Sequence, residues 1–299
     1  MTLVLLNPHA QGGRAARRIP ALRDWLSQHA ADAQLAAPEA LEASVALLQA
    51  LPEGSRVVVI GGDGTLNRWL PTLLARRLTV GLVPMGSGND SARAWGVFGK
   101  TWQQALSRAL HGPAQAVDTG LARWTDLQGQ THETPFLSSL TAGFDSAVGL
   151  RALNGPRWLR GLPRYLWATL QELAQLRTWD LTLHSDGRLR HQGASLFASS
   201  LNTPTFGSGM PAVPHARLED GQLDVLLAGP FGRMGALLML PRLLIGRHLG
   251  HPRIGYWPYQ ALDIGCAQGV PLAADGEYLG EARQVRLSCQ AASLQVVRT

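Results

Sequence analysis

One stretch limits what this chain can fold into more than any other. Four β-branched residues, 57–60, lead directly into a glycine-rich segment, Gly61-Gly62-Asp63-Gly64-Thr65-Leu66-Asn67. The β-branched run predicts a buried strand, and the glycines predict that this strand ends in a turn. Residues 68–77 predict a helix, because leucines recur at helical spacing and Pro71 fits a first turn. A strand, a glycine turn and a helix present bare backbone N–H groups, so the stretch predicts an anion-binding loop.

Asp63 lies inside this glycine-rich segment, where a carboxylate alone would repel a phosphate group. A divalent cation between the carboxylate and the phosphate removes the conflict, so the position favours a metal–nucleotide complex over a bare anion. A structural strand–helix turn with a polar tip is the alternative interpretation of the same residues.

Two further predicted strands end in loops of the same kind. Residues 3–6 run into Asn7-Pro8 and Gly12-Gly13, with a basic helix predicted over residues 14–28. Residues 79–83 run into Pro84-Met85-Gly86-Ser87-Gly88-Asn89-Asp90. Right-handed crossovers place the carboxyl ends of parallel strands at one sheet edge, so we expect the loops to converge on one crevice. Residues 1–120 are therefore predicted to form an α/β domain with a phosphate site.

From residue 121 onward the pattern changes to short strands separated by turn signals such as Asp-Gly. The predicted strands cover residues 136–140, 179–184, 194–199, 223–227 and 284–288. This spacing predicts a β-sandwich-like domain over residues 121–299, whose last strand returns to the first domain. A single amphipathic helix, residues 158–177, is predicted among these strands. Its packing face would hold Leu162, Leu166, Leu170 and Leu173, and its interface side Arg157, Arg160, Arg164 and Trp167.

The charge of the chain favours anionic partners. Its 299 residues carry 27 Lys and Arg against 21 Asp and Glu, a formal net charge of +6 at pH 7. Nucleic acid, a nucleotide or an anionic membrane surface fits this balance. Lys100 is the only lysine and no Walker pattern ending in GK[ST] occurs, which argues against P-loop chemistry. Two cysteines, Cys266 and Cys289, are too few for a disulfide scaffold or a zinc cluster and favour a reduced, cytoplasmic compartment.

The apolar segments predict neither a signal peptide nor a membrane span. Residues 1–6 lack a basic leader and stop at Asn7-Pro8, so they predict a first strand. The longest apolar stretch, 234–245, is broken by Pro241 and Arg242 and falls short of the roughly 20 residues that a spanning helix needs. A soluble or peripheral protein is expected.

Six motifs in order together resemble a known family. They are Asn7-Pro8 with Gly12-Gly13, the Gly61–Asn67 segment, Pro84-x-Gly86-Ser87-x-Asn89-Asp90, Gly143-Phe144-Asp145, Asp220-Gly221-x-Leu223-Asp224 and Asp275-Gly276-Glu277. The set resembles the diacylglycerol kinase catalytic-domain family, and more specifically the bacterial lipid kinases related to sphingosine kinases. The resemblance implies a three-layer α/β/α domain like those of NAD kinases and phosphofructokinases, followed by a β-sandwich-like domain. It also implies ATP, Mg²⁺ and a lipid acceptor.

The resemblance assigns roles to individual residues. ATP phosphates are expected at Gly61, Gly62, Gly64, Thr65, Leu66 and Asn67, with Asp63 acting through Mg²⁺. Asn7, Gly86 and Ser87 are expected to line the nucleotide pocket. By spacing alone Asp275-Gly276 predicts a hairpin turn, whereas the resemblance implies that Asp275 is the general base, with Glu277 beside it. We expect Asp275→Ala to fold normally and to lose phosphorylation. A structural Mg²⁺ is expected on the Asp220 side chain and the backbone carbonyls of Arg217 and Gln222.

Departures from the family pattern keep other functions open. Arg68 stands where the family commonly has an acid, and Ser87 stands where threonine is usual. The alternatives are a soluble NAD kinase-like small-molecule kinase and a non-catalytic sensor of nucleotide or lipid. Expected partners are ATP, a lipid and an anionic membrane surface reached through Trp158, Tyr165 and Trp167. Nucleic acid is not expected as a partner. The chain is expected to form a homodimer.

Overall fold

The strands and helices of a computed structural model divide the chain into two units. The structure describes residues 2–156, 158–159 and 162–298, without the side chain of Leu162. The first unit consists of Met1–Val117 together with Ala292–Thr299, and the second of Asp118–Ala291.

The first unit alternates strands and helices. Its elements are β1 (Thr2–Leu6), α1 (Ile19–His29), β2 (Ala33–Ala36), α2 (Leu41–Ala50), β3 (Arg56–Gly61), α3 (Asp63–Ala75), β4 (Thr79–Pro84), α4 (Asp90–Ala94) and α5 (Trp102–His111). The strands pair in parallel in the order β2, β1, β3, β4. Residues 295–296, near the end of the chain, add a parallel pairing to the outer side of β4.

Both faces of this parallel sheet are buried. Val4, Leu6, Val58 and Ile60 pack against side chains of α1 and α5. Their neighbours along β1 and β3, which point to the opposite face, are also fully or almost fully buried. Strands buried on both faces read as near-continuous apolar runs, which is why four β-branched residues in a row identified β3. The predicted three-layer α/β/α architecture is confirmed.

The helix after β3 begins earlier than predicted. It starts at Asp63, not near residue 68, and Gly62 is its extended N-cap. Pro71 therefore lies inside α3 and not in its first turn, so the helix lacks one backbone hydrogen bond at that point. The glycines misled the prediction because Gly64 adopts helical geometry in the first turn of α3.

The second unit is mostly antiparallel. Its elements are β5 (Ala114–Asp126), β6 (Thr131–Phe136), β7 (Ser139–Gly143), α6 (Phe144–Leu153), α7 (Leu162–Ala174), β8 (Trp179–Ser185), β9 (Arg188–Ser195), β10 (Phe197–Leu201), β11 (Leu223–Ala228), α8 (Arg233–Leu244), β12 (Ile254–Tyr259), β13 (Ala261–Ala274) and β14 (Glu277–Val297). β5 begins, and β14 ends, among residues of the first unit.

The long strand β13 joins two groups of strands. Residues 272–274 pair with β7, which continues through β10 and β11 to β12. Residues 262–265 pair instead with β8, which pairs with β9. The register of β13 against β14 shifts between Gly265 and Val270. Strands that change partners at such an irregularity form the corners of β-sandwiches. The predicted β-sandwich-like fold is confirmed.

Two strand predictions were wrong in their bounds. The predicted strand 136–140 spans the end of β6 and the start of β7, because Leu137 and Ser138 donate their N–H groups to the Asp275 carboxylate. The predicted strand 194–199 spans β9 and β10, which are separated at Leu196. Apolar residues lie on both sides of each break, and no glycine or proline marks either one.

The prediction of one helix among these strands was also wrong, since α6 and α8 accompany α7. On α7 the packing face differs from the predicted one: Leu173 is buried, but Leu170 is 54 % exposed. Tyr165 and Trp167 pack against the core, whereas Trp158 is 80 % exposed. Residues Arg157 and Arg160, predicted at an interface, lie outside the described residues. α8 was not predicted as a helix because apolar residues lie on opposite sides of it, so its sequence shows no helical periodicity.

Candidate nucleotide and acceptor sites

The loop after β1 is tied to the start of α3 by one asparagine. The Asn7 side-chain amide donates to Thr65 Oγ1 at 2.8 Å, and its carbonyl accepts the His9 N–H at 3.0 Å. The Asn7 backbone N–H bonds to the Ile60 carbonyl on β3. The sequence singled out Asn7 and Thr65 independently, and the structure brings them into contact.

Two glycines allow the loops after β3 and β4 to touch. A Cβ atom on Gly62 would lie 2.5 Å from Gly86 Cα, and one on Gly86 would lie 2.6 Å from Gly62 Cα. The Met85 N–H bonds to the Gly61 carbonyl at 2.6 Å. A Cβ on Gly61 would lie 2.6 Å from Thr65 Oγ1. The requirement for glycine therefore comes from loop-to-loop packing at Gly62 and Gly86, and from contact with the Thr65 side chain at Gly61.

Asp63 joins the start of α3 to the start of α4. One carboxylate oxygen accepts the Asp90 N–H and the other accepts the Ser91 N–H, both at 3.0 Å. Asn89, at φ +58°, closes the same loop by exchanging two hydrogen bonds of 2.8 Å with the Gly86 backbone. An ionised carboxylate offers about four acceptor positions, so two remain on Asp63 for a cation. This donor chemistry fits Mg²⁺, which takes one or two carboxylates besides phosphate oxygens and water.

The N-terminus of α3 opens beside these loops. The first N–H groups of a helix have no acceptor within it, and the helix dipole makes this end favourable for anions. Leu66 and Thr65 are buried, and their N–H groups both donate to the Gly62 carbonyl. Ser87 is exposed, and within the described residues its hydroxyl has no hydrogen-bond partner.

A pocket of about 400 Å³ with a mixed polar and apolar lining adjoins the loops after β1 and β4. It is lined by Gln11 of the first loop, by Pro84 and Met85 at the end of β4, and by two cations, Arg18 and Lys100. The volume is within the range of small-ligand sites. Sequence reasoning treated Lys100 only as evidence against P-loop chemistry and missed this placement.

In the second unit, Asp275 and Gly276 form the two-residue turn between β13 and β14. Ala274 pairs with Glu277, and both turn residues have positive φ, +47° and +86°. This is the hairpin turn that spacing alone predicted. The Asp275 carboxylate does more than a turn requires, because it accepts the N–H groups of Leu137, Ser138 and Ser139 at 2.7–3.0 Å.

Asn202 and Thr203, which the sequence did not single out, extend the polar network beside this turn. The Asn202 amide donates to the carbonyls of Asp118 and Leu137, both at 2.8 Å. Thr203 Oγ1 lies 2.6 Å from Ser138 Oγ. All these bonds serve to fix the segment before β7, and through it the Asp275 carboxylate. Glu277, the first residue of β14, is partly exposed.

The predicted metal loop is held by a buried aspartate. Asp118 is 2 % exposed and accepts the Gly221 N–H at 2.7 Å. Asp220 and Arg217 are exposed, and Asp220 Oδ1 accepts the Gln222 N–H. Burial raises the pKa of Asp224, and the negative charge of Asp220 raises it further. Burial, together with the charges of Asp118 and Asp220, raises the pKa of Cys289 to about 12. Oxygen donors in a tight turn fit a hard cation.

An apolar cavity of about 60 Å³ lies in the second unit under α8. Its lining comprises Phe144, Asp145, Leu173, Leu196, Phe197, Leu226, Ala228, Phe231, Ala236, Met239, Leu240, Leu243, His248 and Ile254. Only Asp145 and His248 are polar. Leu196 joins β9 to β10, Phe197 is the first residue of β10, and Met239, Leu240 and Leu243 come from α8.

Each of the two polar residues of the cavity makes one hydrogen bond, which Asp145 accepts and His248 donates. Burial raises the pKa of Asp145 to about 7, against a lowering contribution from the Ser199 hydroxyl, which donates to Oδ2 at 3.1 Å. Burial lowers the pKa of His248, and its Nε2 lies 2.7 Å from the Ala212 carbonyl. Nδ1 is buried and has no hydrogen-bond partner within the described residues. The Gly143-Phe144-Asp145 motif marked Asp145 in the sequence, whereas nothing marked His248.

No helix in the described ranges is both long and apolar enough to cross a membrane.

Comparisons with known proteins place both units in one family context. The family model of the diacylglycerol kinase catalytic domain matches residues 1–122, and that of the YegS C-terminal NAD kinase beta sandwich-like domain matches residues 138–298. A diacylglycerol kinase from Mycobacterium tuberculosis is 30 % identical over 296 residues, covering 98 % of this chain and 94 % of that protein.

Solved structures share the fold at lower sequence identity. The crystal structure of a diacylglycerol kinase from Bacillus anthracis has a TM-score of 0.76 at 18 % identity, covering 100 % of this chain and 96 % of that chain. An NAD kinase from Archaeoglobus fulgidus in complex with ATP has a TM-score of 0.56 at 9 % identity, covering 100 % and 94 %. These two likenesses concern the fold alone.

Proposed function

The chain belongs to the diacylglycerol kinase family and is a kinase that acts on an alcohol group; from that premise we propose that it transfers the γ-phosphate of ATP to a lipid hydroxyl. The relative from Mycobacterium tuberculosis is named diacylglycerol kinase, but that name does not by itself define the acceptor of this chain. Diacylglycerol, phosphatidylglycerol and sphingoid-type lipids are the acceptor classes to be compared.

The proposed ATP binding rests on the loops after β1, β3 and β4 of the first unit, which are joined by hydrogen bonds. Backbone groups of Gly61, Gly62 and Gly64 at the α3 N-terminus would hold the phosphates, together with Thr65, Leu66 and Asn67. Asn7, Gly86 and Ser87 would border the nucleotide, and Lys100 and Arg18 add positive charge in the neighbouring pocket. Asp63 would hold Mg²⁺, which when bound neutralises charge on the phosphate oxygens.

The apolar cavity under α8 is the observation that supports a lipid as the acceptor. A nucleotide-sized polar acceptor such as NAD would not gain from a space lined by apolar side chains except for Asp145 and His248. At about 60 Å³ the cavity has the volume of only a few water molecules, so a hydrocarbon chain would require α8 to move outward. The cavity therefore favours a lipid kinase over the NAD kinase-like alternative.

Asp275 is proposed as the general base. In a loose phosphoryl-transfer transition state the attacking hydroxyl has lost little of its proton, so an oriented carboxylate suffices even when it is weakly basic. Three backbone N–H groups fix the orientation of the Asp275 carboxylate, and a side chain held in this way serves positioning well. Glu277, two residues away, is proposed to assist in the same site.

The Asp220 loop is proposed to hold a structural Mg²⁺. The ligands would be the Asp220 side chain and the backbone carbonyls of Arg217 and Gln222. A metal bound there would tie the loop before β11 to the buried Asp118 and would stabilise the second unit. Chelation should then lower the unfolding temperature of the wild-type protein and leave that of Asp220→Ala unchanged.

Labelled ATP, Mg²⁺ and a panel of acceptors test the proposed reaction. Diacylglycerol, phosphatidylglycerol, a sphingoid base, ceramide and NAD should be offered separately. We expect phosphate transfer to at least one lipid and none to NAD. Transfer to NAD alone would establish the small-molecule kinase, and ATP binding without any transfer would establish the sensor.

A matched pair of variants tests the role of Asp275. Asp275→Ala, which the sequence predicted to fold normally, would leave the N–H groups of Leu137, Ser138 and Ser139 without their acceptor at about 1–3 kcal/mol each. Asp275→Asn suits the turn and keeps Oδ1, which accepts two of these three bonds. We expect Asp275→Asn to lower kcat by about 10²–10⁴-fold, the typical contribution of a general base.

Asp186 provides the control. It occupies the first position of the β8–β9 hairpin turn at φ +49° and accepts the N–H groups of Gln260 and Ala261 through Oδ1. Asp186→Asn makes the same chemical change in the same kind of turn and should leave kcat unchanged. Near wild-type kcat in Asp275→Asn would exclude Asp275 as the base.

A further inference from the structure

The outer face of α8 is apolar and exposed. Met234, Leu238 and Ile245 are 62–67 % exposed, and Leu237 and Leu244 are 41–42 % exposed. At about 100° per residue these side chains, with Pro241, fall within an arc of about 120° on one side of the helix. Scattered exposed leucines are ordinary in soluble proteins, but a continuous apolar stripe marks an interaction surface.

The opposite face of α8 is apolar as well. Ala236, Met239, Leu240 and Leu243 line the cavity of the second unit. A helix that is apolar on two opposite faces normally lies buried in protein or in lipid on both of them. α8 is buried on its cavity side only, so its apolar outer face is exposed where burial in protein or lipid would be expected.

Positive charge surrounds this outer face. On the helical projection Arg233 and Arg242 fall at the two edges of the apolar arc, and Arg247 follows the helix; all three are exposed. Between Asp224 and Asp263 the sequence contains no Asp or Glu, whereas it contains four arginines, the fourth being Arg253. An apolar stripe with basic edges, in a segment of sequence without Asp or Glu, is complementary to anionic lipid.

We propose that the outer face of α8 docks on the surface of an anionic bilayer. The helix has twelve residues, too few to span a membrane, so it would lie in the plane of the interface with its apolar arc toward the acyl chains. The arginines at its edges would contact lipid phosphates. Because the inner face of α8 lines the cavity proposed for the acceptor, docking would place that cavity one helix away from its lipid source.

A second copy of this chain fits the same face less well. In an isologous contact through α8 the same surface meets itself, so the arginines at the edges of one helix would approach those of the other. No acidic residue in the 225–262 segment is available to pair with them. The membrane-surface inference rests on the proposed function only for the identity of the acceptor and not for the docking itself.

Vesicle flotation tests the docking without any measurement of activity. The full chain should bind equimolar phosphatidylcholine and phosphatidylglycerol vesicles and bind pure phosphatidylcholine vesicles weakly. Leu238→Glu should weaken binding to the anionic vesicles by about tenfold or more, from the lost transfer of one leucine side chain. Replacing Arg233, Arg242 and Arg247 by Gln should weaken it by about a hundredfold, at about fivefold per basic residue, and should flatten its salt dependence.

Matched controls lie on β9 of the same unit. Leu189 is 55 % exposed, and Arg188 and Arg190 are exposed beside it. Leu189→Glu, and Arg188→Gln with Arg190→Gln, should leave vesicle binding unchanged. Unfolding temperatures of all variants should match that of the wild type, because every substituted side chain is exposed.

Two results would overturn the proposal. One is vesicle binding that Leu238→Glu and Leu189→Glu reduce equally or not at all. The other is a dimer in sedimentation velocity that Leu238→Glu dissociates while vesicle binding persists, since the face would then be a contact between copies. Vesicle binding through α8 without phosphorylation of any lipid would refute the proposed function and leave the docking surface in place.

Discussion

Asp145→Asn is the substitution for which the structure gives the clearest quantitative expectation. Burial raises the pKa of the Asp145 carboxyl to about 7, whereas the same group in an unfolded chain titrates near 3.8. Between these pH values the folded protein holds a proton that the unfolded chain has released. The free energy of unfolding therefore falls as the pH rises through this window, and levels off above pH 7.

The size of the effect follows from the window. Each pH unit inside it changes the free energy of unfolding by about 1.4 kcal/mol. Raising the pH from 5 to 8 should lower this free energy by about 3 kcal/mol through Asp145 alone, as an upper limit since the side chain keeps some contact with solvent. Asparagine has nearly the same shape, accepts the Ser199 hydrogen bond through Oδ1 and does not ionise, so the variant lacks this loss.

Urea unfolding of the wild type and Asp145→Asn at pH 5, 6, 7 and 8 measures the difference. We expect the advantage of the variant to grow across this range and to stop growing above pH 7. Asp263→Asn, which changes a half-exposed carboxylate paired with Arg286, serves as the control for the loss of one negative charge. A constant difference between wild type and Asp145→Asn at every pH would refute the assignment of a buried, proton-holding carboxyl.

Substitutions at the junction of β3 and α3 provide further tests. Gly62→Ala should destabilise the protein by about 1–3 kcal/mol and abolish ATP binding in calorimetry, because its Cβ would lie 2.5 Å from Gly86 Cα. Gly149→Ala, which meets nothing within 4 Å, should do neither. Asp63→Asn keeps one oxygen acceptor and should weaken binding of Mg²⁺–ATP more than binding of ATP with EDTA; equal weakening would show that Asp63 serves only to hold α4.

The sequence identified the first-unit loops because their chemistry is local. Glycines next to a β-branched run, and an asparagine after a short apolar strand, predict strand ends wherever they occur. The sequence did not predict contacts between segments that are 58 residues apart, such as the hydrogen bond of Asn7 with Thr65. Parallel topology predicts that such loops converge, but it does not predict which atoms meet.

The helices of the second unit show the limit of periodicity. α8 carries apolar residues toward the cavity and toward solvent, so its sequence resembles a broken buried segment and not an amphipathic helix. Strand bounds failed for a related reason. The break at Leu137 and Ser138 is caused by hydrogen bonds to Asp275, 136–138 residues away, and no local pattern encodes a partner at that distance.

The sequence by itself determined the two fold classes, the strand ends that carry glycine loops and the motifs that define the family, because each depends on a few adjacent residues. Tertiary structure alone decided that Asp63 caps α4, that Asp275 is fixed by three N–H groups, and that Asp145 and His248 share an apolar cavity beneath α8. The reason is that hydrogen-bond partners and burial are properties of neighbours in space, which strand pairing and helix packing bring together from distant parts of the chain.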